Sequence, residues 1–290
     1  MRVQTRRVAR PRTPLVLAVA ALAACTGCAT SAFAHGMRLP FASWGAMNAD
    51  ALRCQRAIAR AAAQCAGGAW TARRACRETE LAGGSCDLDA TRERILAVRR
   101  ASQDTVDAFC SERQAIAVGF LGSFDLQQDL TAFCRDWERS ADSGVYAPMR
   151  PDLSAAERAC ISATGNGATE LMHSIFRARR RAMDRAAAAS PSTAERQDWV
   201  TAATDRTGRA SAWLADRIAA RCSPADASAL YGRTPAALLA ILGARADCLG
   251  GAFYIQDAVL CPAAECGNRV IESGEECDGG AGCSAECTIE

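Results

Sequence analysis

Leu52-Arg-Cys54-Gln-Arg-Ala-Ile58-Ala-Arg-Ala-Ala62-Ala-Gln-Cys65 decides the fold class of this chain. Leu52, Ile58, Ala62 and Cys65 recur at helical spacing, and arginines fill positions between them. The same kind of periodicity continues to Cys261. Half of the 290 residues are hydrophobic, but alanine dominates that half and aromatics make up only 6%. Small side chains suit slender, closely packed helices rather than a thick sheet core. The chain is therefore expected to be mainly α, and its length allows one large or two modest domains.

Working outward, the cysteines reveal a duplication. Cys54, Cys110 and Cys134 are spaced 56 and 24 apart; Cys160, Cys222 and Cys248 are spaced 62 and 26 apart. Cys110-Ser111 and Cys222-Ser223 each end a long helix and supply a serine to cap the next. Ser111-Glu-Arg-Gln114 fits a capping box, and Pro224 stands at a first helical position. Two tandem helical-hairpin units follow, over 41–149 and 150–262.

In the first unit Gly67-Gly68 predicts a kink or break. Asp87 and Asp89 announce a return helix carrying Ile95, Val98, Val106 and Phe109. In the second, Ser154-Ala-Ala-Glu157 is a capping box, Gly165 and Gly167 weaken the helix after it, and Ser190-Pro191-Ser192 marks the turn. Ser192-Thr-Ala-Glu195 opens the return helix, whose face is Ala210, Leu214, Ile218 and Cys222. Thr234-Pro235 starts a further helix running to Cys248.

Hairpin geometry predicts the bridges. At about 1.5 Å per residue, Cys54 to Cys76 rises about 33 Å and Cys86 to Cys110 about 36 Å. Antiparallel helices of such similar length bring Cys76 to Cys86 at the turn and Cys54 to Cys110 at the open end. Cys160–Cys222 repeats the open-end bridge, while Met183 and Asp198 stand near the places of the turn pair. Cys65–Cys134 and Cys248–Cys261 complete the set.

Residues 1–34 read as an export signal. Five arginines (Arg2, Arg6, Arg7, Arg10, Arg12) precede an apolar run from Leu15 to Ala24, too short to span a bilayer. Leu22-Ala-Ala-Cys25 resembles a lipobox with Cys25 as the lipidated residue. Ala32-Phe-Ala34 before His35 fits ordinary signal cleavage, and both exits stay open. Loss of the first 24 residues removes those five arginines and no acid, turning a net charge of +2 into −3. A mildly acidic mature protein argues against non-specific nucleic-acid binding. Membrane contact is expected only through the lipid anchor, and location is expected to be extracytoplasmic, in the envelope or secreted.

The C-terminal stretch Cys266-Gly-Asn-Arg-Val-Ile-Glu272-Ser-Gly-Glu275-Glu-Cys277-Asp278, with Cys283 and Cys287, holds four cysteines in 22 residues. It resembles the short cysteine-rich repeat at the ends of extracytoplasmic myxobacterial proteins. Its opening is also similar to the start of the disintegrin domain of membrane-anchored and venom metalloproteases. The resemblance covers about a tenth of the chain. It implies a disulfide-built module over 263–290. It further implies a calcium site formed by the side chains of Asn268, Glu272, Glu275 and Asp278 with the backbone carbonyls of Glu265 and Val270. Four oxygen-bearing side chains so close together suit a cation that takes about six to eight oxygen ligands. Arg269 and the short Gly279–Gly282 segment depart from the family pattern. Only Cys283 and Cys287 approach zinc-ligand spacing, so two disulfides are expected, with three pairings open. The helical body resembles cysteine-bearing helical repeats of exported bacterial proteins, which implies no activity.

Other candidates read as structural. Arg177-Ala-Arg179-Arg180-Arg181 with Arg185 reads as the wet face of a helix, and His173 as a helix-packing histidine. GxSxG, phosphate-loop and HExxH patterns are missing from the sequence. The expectation is a non-enzymatic envelope or secreted protein in a structural or surface-interaction role with an unidentified envelope partner. Beside it stand an exported module holding a small ligand between helices and an enzyme of unrecognised family. A sizeable apolar pocket with convergent polar groups favours the module.

Overall fold

Side-chain caps set the limits of the helices. Asn48 accepts from the amides of Asp50 and Ala51 (3.1 and 2.8 Å) to open α1 (Ala49–Leu81), and Asp87 accepts from Ala90 N (2.8 Å) to open α2 (Leu88–Asp107). The Ser111–Gln114 capping box opens α3 (Glu112–Ala117), which leads into α4 (Ser123–Tyr146). Ser154 and Glu157 exchange the reciprocal bonds of a box before α5 (Ala155–Ala189), which α6 (Thr193–Ala219) follows. Ser223 with Pro224 opens α7 (Pro224–Tyr231), and left-handed Gly232 (φ 67°) ends it before α8 (Pro235–Gly251). The computed structural model describes residues 47–146, 148–189 and 193–251, with positions 254 and 284; among these there is no strand.

The order long, long, short, long occurs twice, consistent with tandem helical-hairpin units. Cys54–Cys110 and Cys76–Cys86 close the two ends of the α1–α2 hairpin, with Cα atoms 4.9 and 5.1 Å apart. Cys65–Cys134 ties α1 to α4, and Cys160–Cys222 closes the α5–α6 hairpin. Cys248 is also disulfide-bonded, while Cys261 lies outside the described residues. Leu171 stands eleven residues after Cys160, as Cys65 stands eleven after Cys54. It is fully buried beside Gly243 of α8, so a packed leucine replaces the third staple. At the α5–α6 turn, Met183 is buried with Ala59 and Tyr254, and Asp198 is exposed.

The glycine pairs do not break their helices: α1 runs unbroken through Gly67-Gly68, and α5 through Gly165 and Gly167. Each glycine removes a side chain where another helix presses in. A Cβ on Gly68 would lie 2.7 Å from a Val98 methyl, one on Gly165 2.7 Å from the Tyr146 hydroxyl, and one on Gly167 2.6 Å from Ile218 Cδ1. Close packing outweighs a local helix penalty of about 1 kcal/mol per glycine. Phe109 also departs from expectation. It follows the end of α2, is 46% exposed, and lies under the Arg60 guanidinium (5.9 Å).

The two units share one core. α1 and α5 run antiparallel, with Trp70 Nε1 donating to Thr169 Oγ1 (2.7 Å) and Met47 N to the Ala187 carbonyl. α1 and α4 run parallel: Arg73 meets Glu138 and Arg77 meets Asp142. Phe133 and Trp137 of α4 pack their rings on Phe176 of α5 (5.7 and 6.1 Å). Tyr231 of α7 donates to the Val145 carbonyl across the same junction.

Candidate functional site

On one side of α1 the packing leaves a groove of about 610 Å³, within the range of small-molecule sites. Its floor is α1, where Ala63, Gly67, Gly68, Ala72 and Ala75 offer little but backbone and methyl groups. Arg94 of α2 forms one wall; His173 and Arg180 of α5 form the other. Gln64 and Thr71 add polar atoms along the floor, although the Thr71 hydroxyl donates to the Gly67 carbonyl (2.7 Å).

The helix registers fix where the charges fall. His173 lies over Gly67, where a Cβ would stand 3.1 Å from its Nε2, and α5 runs antiparallel to α1. Arg180 therefore sits across from Arg60 at one end. α2 contacts α1 at Val98 and Gly68 and is also antiparallel, so Arg94 stands across from Ala72 near the other. From residue 60 to residue 72 α1 rises about 18 Å. The trough is positive at both ends and neutral between them.

Asp184 tempers one end. Arg56, Arg60 and Arg180 all act on it, Tyr254 donates to it (3.0 Å), and burial holds its carboxyl above the usual range against those partners. One carboxylate attends three arginines, and none of the described residues lining the groove is an acid. His173 is exposed at the groove edge while packing on α1, so the packing expectation covers only part of its position. Burial, then the neighbouring Arg177, hold its imidazole below the usual range and favour the neutral ring.

The arginine run is not a single wet face. Arg179 is buried and pairs with Asp247, Arg180 turns into the groove, and Arg177, Arg181 and Arg185 are exposed. Arg185 stacks over Trp199 at 4.5 Å. Successive helix residues point about 100° apart, so four arginines in five positions reach different surroundings. The groove itself was missed in the sequence. Arg60, Gln64, Gly67, Gly68, Thr71 and Ala75 share one stripe of α1, and that small and polar stripe was its available signal.

Among the described residues, one cluster has metal-like proximity: Cys76, Glu80 and Cys86. Its two sulfurs bond to each other and Glu80 pairs with Arg77 (3.0 Å), so the thiolates a metal requires are consumed. The calcium ligands expected at Asn268, Glu272, Glu275, Asp278, Glu265 and Val270 lie outside the described residues. So do Cys25 and the module cysteines Cys266, Cys277, Cys283 and Cys287. The bridged body fits an oxidising compartment, and no described helix is long and apolar enough to cross a membrane. No protein-family model, curated protein or solved structure matches the chain.

Proposed function

We propose that this chain is an exported, non-enzymatic binding protein whose helical body holds an anionic ligand along the α1–α2–α5 groove. One observation supports the reading above others: arginines from three helices line a trough that, among the described residues, no carboxylate lines. The groove suits an extended ligand bearing negative charge at one or both ends and lying on the flat alanine and glycine floor. A purely structural role accounts for the filled core but not for this arrangement of arginines. In the same proposal, Cys25 tethers the protein to the envelope and a calcium-ordered C-terminal module mediates surface contacts.

The test is native mass spectrometry of the protein purified without denaturant from its own envelope fraction. Wild type is expected to carry an anionic small-molecule adduct that Arg60→Glu/Arg180→Glu loses while its helical circular dichroism is unchanged. Identical adduct spectra for the two proteins, or an adduct-free wild type, would count against the groove as a binding site.

A further inference from the structure

The other side of α2 carries a second groove, of about 510 Å³, between α2 and α4. Five arginines line it, Arg73, Arg92, Arg99, Arg135 and Arg139, against two carboxylates, Asp89 and Glu138. The charges are not spread evenly. Glu138 is buried and receives both Arg73 (2.8 Å) and Arg99 (3.5 Å). Arg73 and Arg135 also repel Arg99, whose charged form is already disfavoured by burial. Two guanidinium groups thus share one carboxylate, Arg135 beside them reaches Asp136 (3.7 Å), and the described lining holds five arginines against two acids.

The apolar part of this groove is equally specific. Leu88, Arg92, Ile95, Leu96 and Arg99 share one stripe of α2. Ile95 is buried against Cys65 and Cys134, but Leu88 and Leu96 are 59% and 42% exposed. From Arg99 the stripe runs through Leu96 and Arg92 to Leu88, and the two leucines stand about 12 Å apart along the helix.

We propose that the α2–α4 groove binds an anionic amphiphile, with a phosphate-class dianionic head on Arg73, Arg99 and Arg135 and its apolar portion along Leu96 and Leu88. A dianion offsets the surplus charge that Glu138 leaves and bonds guanidinium groups in bidentate fashion. An apolar tail covers the two leucines that the fold leaves open to water. The site is independent of the α1–α2–α5 groove, because none of its lining residues belongs to that groove.

Calorimetry on the full-length oxidised protein tests this with dodecyl phosphate below its micelle concentration, inorganic phosphate and uncharged dodecyl maltoside. Dodecyl phosphate is expected to bind at least about tenfold more tightly than inorganic phosphate, and dodecyl maltoside not measurably. Arg135→Gln and Leu96→Ser, both at exposed side chains, should each weaken dodecyl phosphate by about tenfold. Arg60→Glu/Arg180→Glu should leave it unchanged, which separates this site from the first. Three results overturn the proposal: equal binding of inorganic and dodecyl phosphate, unaltered affinity in both single variants, or no dodecyl phosphate binding by the folded wild type.

Discussion

Gly68→Ala sets the two effects of a helical glycine against each other. In an open helix the change stabilises by about 1 kcal/mol, since alanine orders the backbone at less entropic cost. At position 68 the new Cβ would lie 2.7 and 3.0 Å from the two Val98 methyls. Val98 is stiff about χ1, and Cys54–Cys110 and Cys76–Cys86 pin both ends of the hairpin, so α2 cannot simply back away. Overpacking of this kind costs about 1–3 kcal/mol, and so close a contact belongs in the upper part of that range. The net expectation is a loss of about 1–2 kcal/mol. Gly208 of α6 is the control: a Cβ there meets none of the described residues within 4 Å, so Gly208→Ala should gain up to about 1 kcal/mol. Guanidinium unfolding of the oxidised proteins measures both, and Val98→Ala should return Gly68→Ala toward the control in a double-mutant cycle. Equal stabilisation at 68 and 208 would refute the close-approach account.

Loss of Cys54–Cys110, by paired alanine substitution, should cost about 4 kcal/mol in the chain-entropy model, against about 3 for the short Cys76–Cys86 loop; thermal unfolding ranks them. His173 has a folded pKa below its ordinary value, so the unfolded chain takes the proton first as pH falls. Stability should therefore decline from about pH 6.5 downward until the folded form also protonates, and His173→Gln should lack this component in denaturant titrations. For the C-terminal module, calcium calorimetry on the full chain should show a heat that Glu275→Ala loses while the helical body melts unchanged; no heat at millimolar calcium leaves only an acidic, disulfide-held turn.

Much of the architecture is legible because it is local. Ser111, Ser154 and Ser223 cap helices through atoms three residues away, and the hairpin bridges follow from helix rise and chain direction alone. Gly67-Gly68 misled because glycine's local tendency and its tertiary use have opposite signs, and only the partner helix decides between them. Asn48 went unread because no strong apolar run immediately follows it, although it caps the longest helix of the first unit. The grooves were illegible for another reason. Arg60, Arg94 and Arg180 come to line one groove only once α2 and α5 take their registers on α1, and no interval between them in the sequence encodes that.

The cross-bridging of the body also governs how it would respond to tension. A pull transmitted from Met47 reaches Cys65 and passes through sulfur to Cys134, so α2, α3 and the C-terminal half of α1 hang outside the taut path. The second unit does the same through Cys160–Cys222, which bypasses most of α5 and all of α6. Stretches spanning 69 and 62 residues are thereby withheld from extension. On a cell surface exposed to shear, such a chain would lengthen by only a fraction of its contour. Both grooves have arginines on the shielded helices, Arg94 and Arg180 in one and Arg92 and Arg99 in the other, where pulling on the ends cannot draw them out directly.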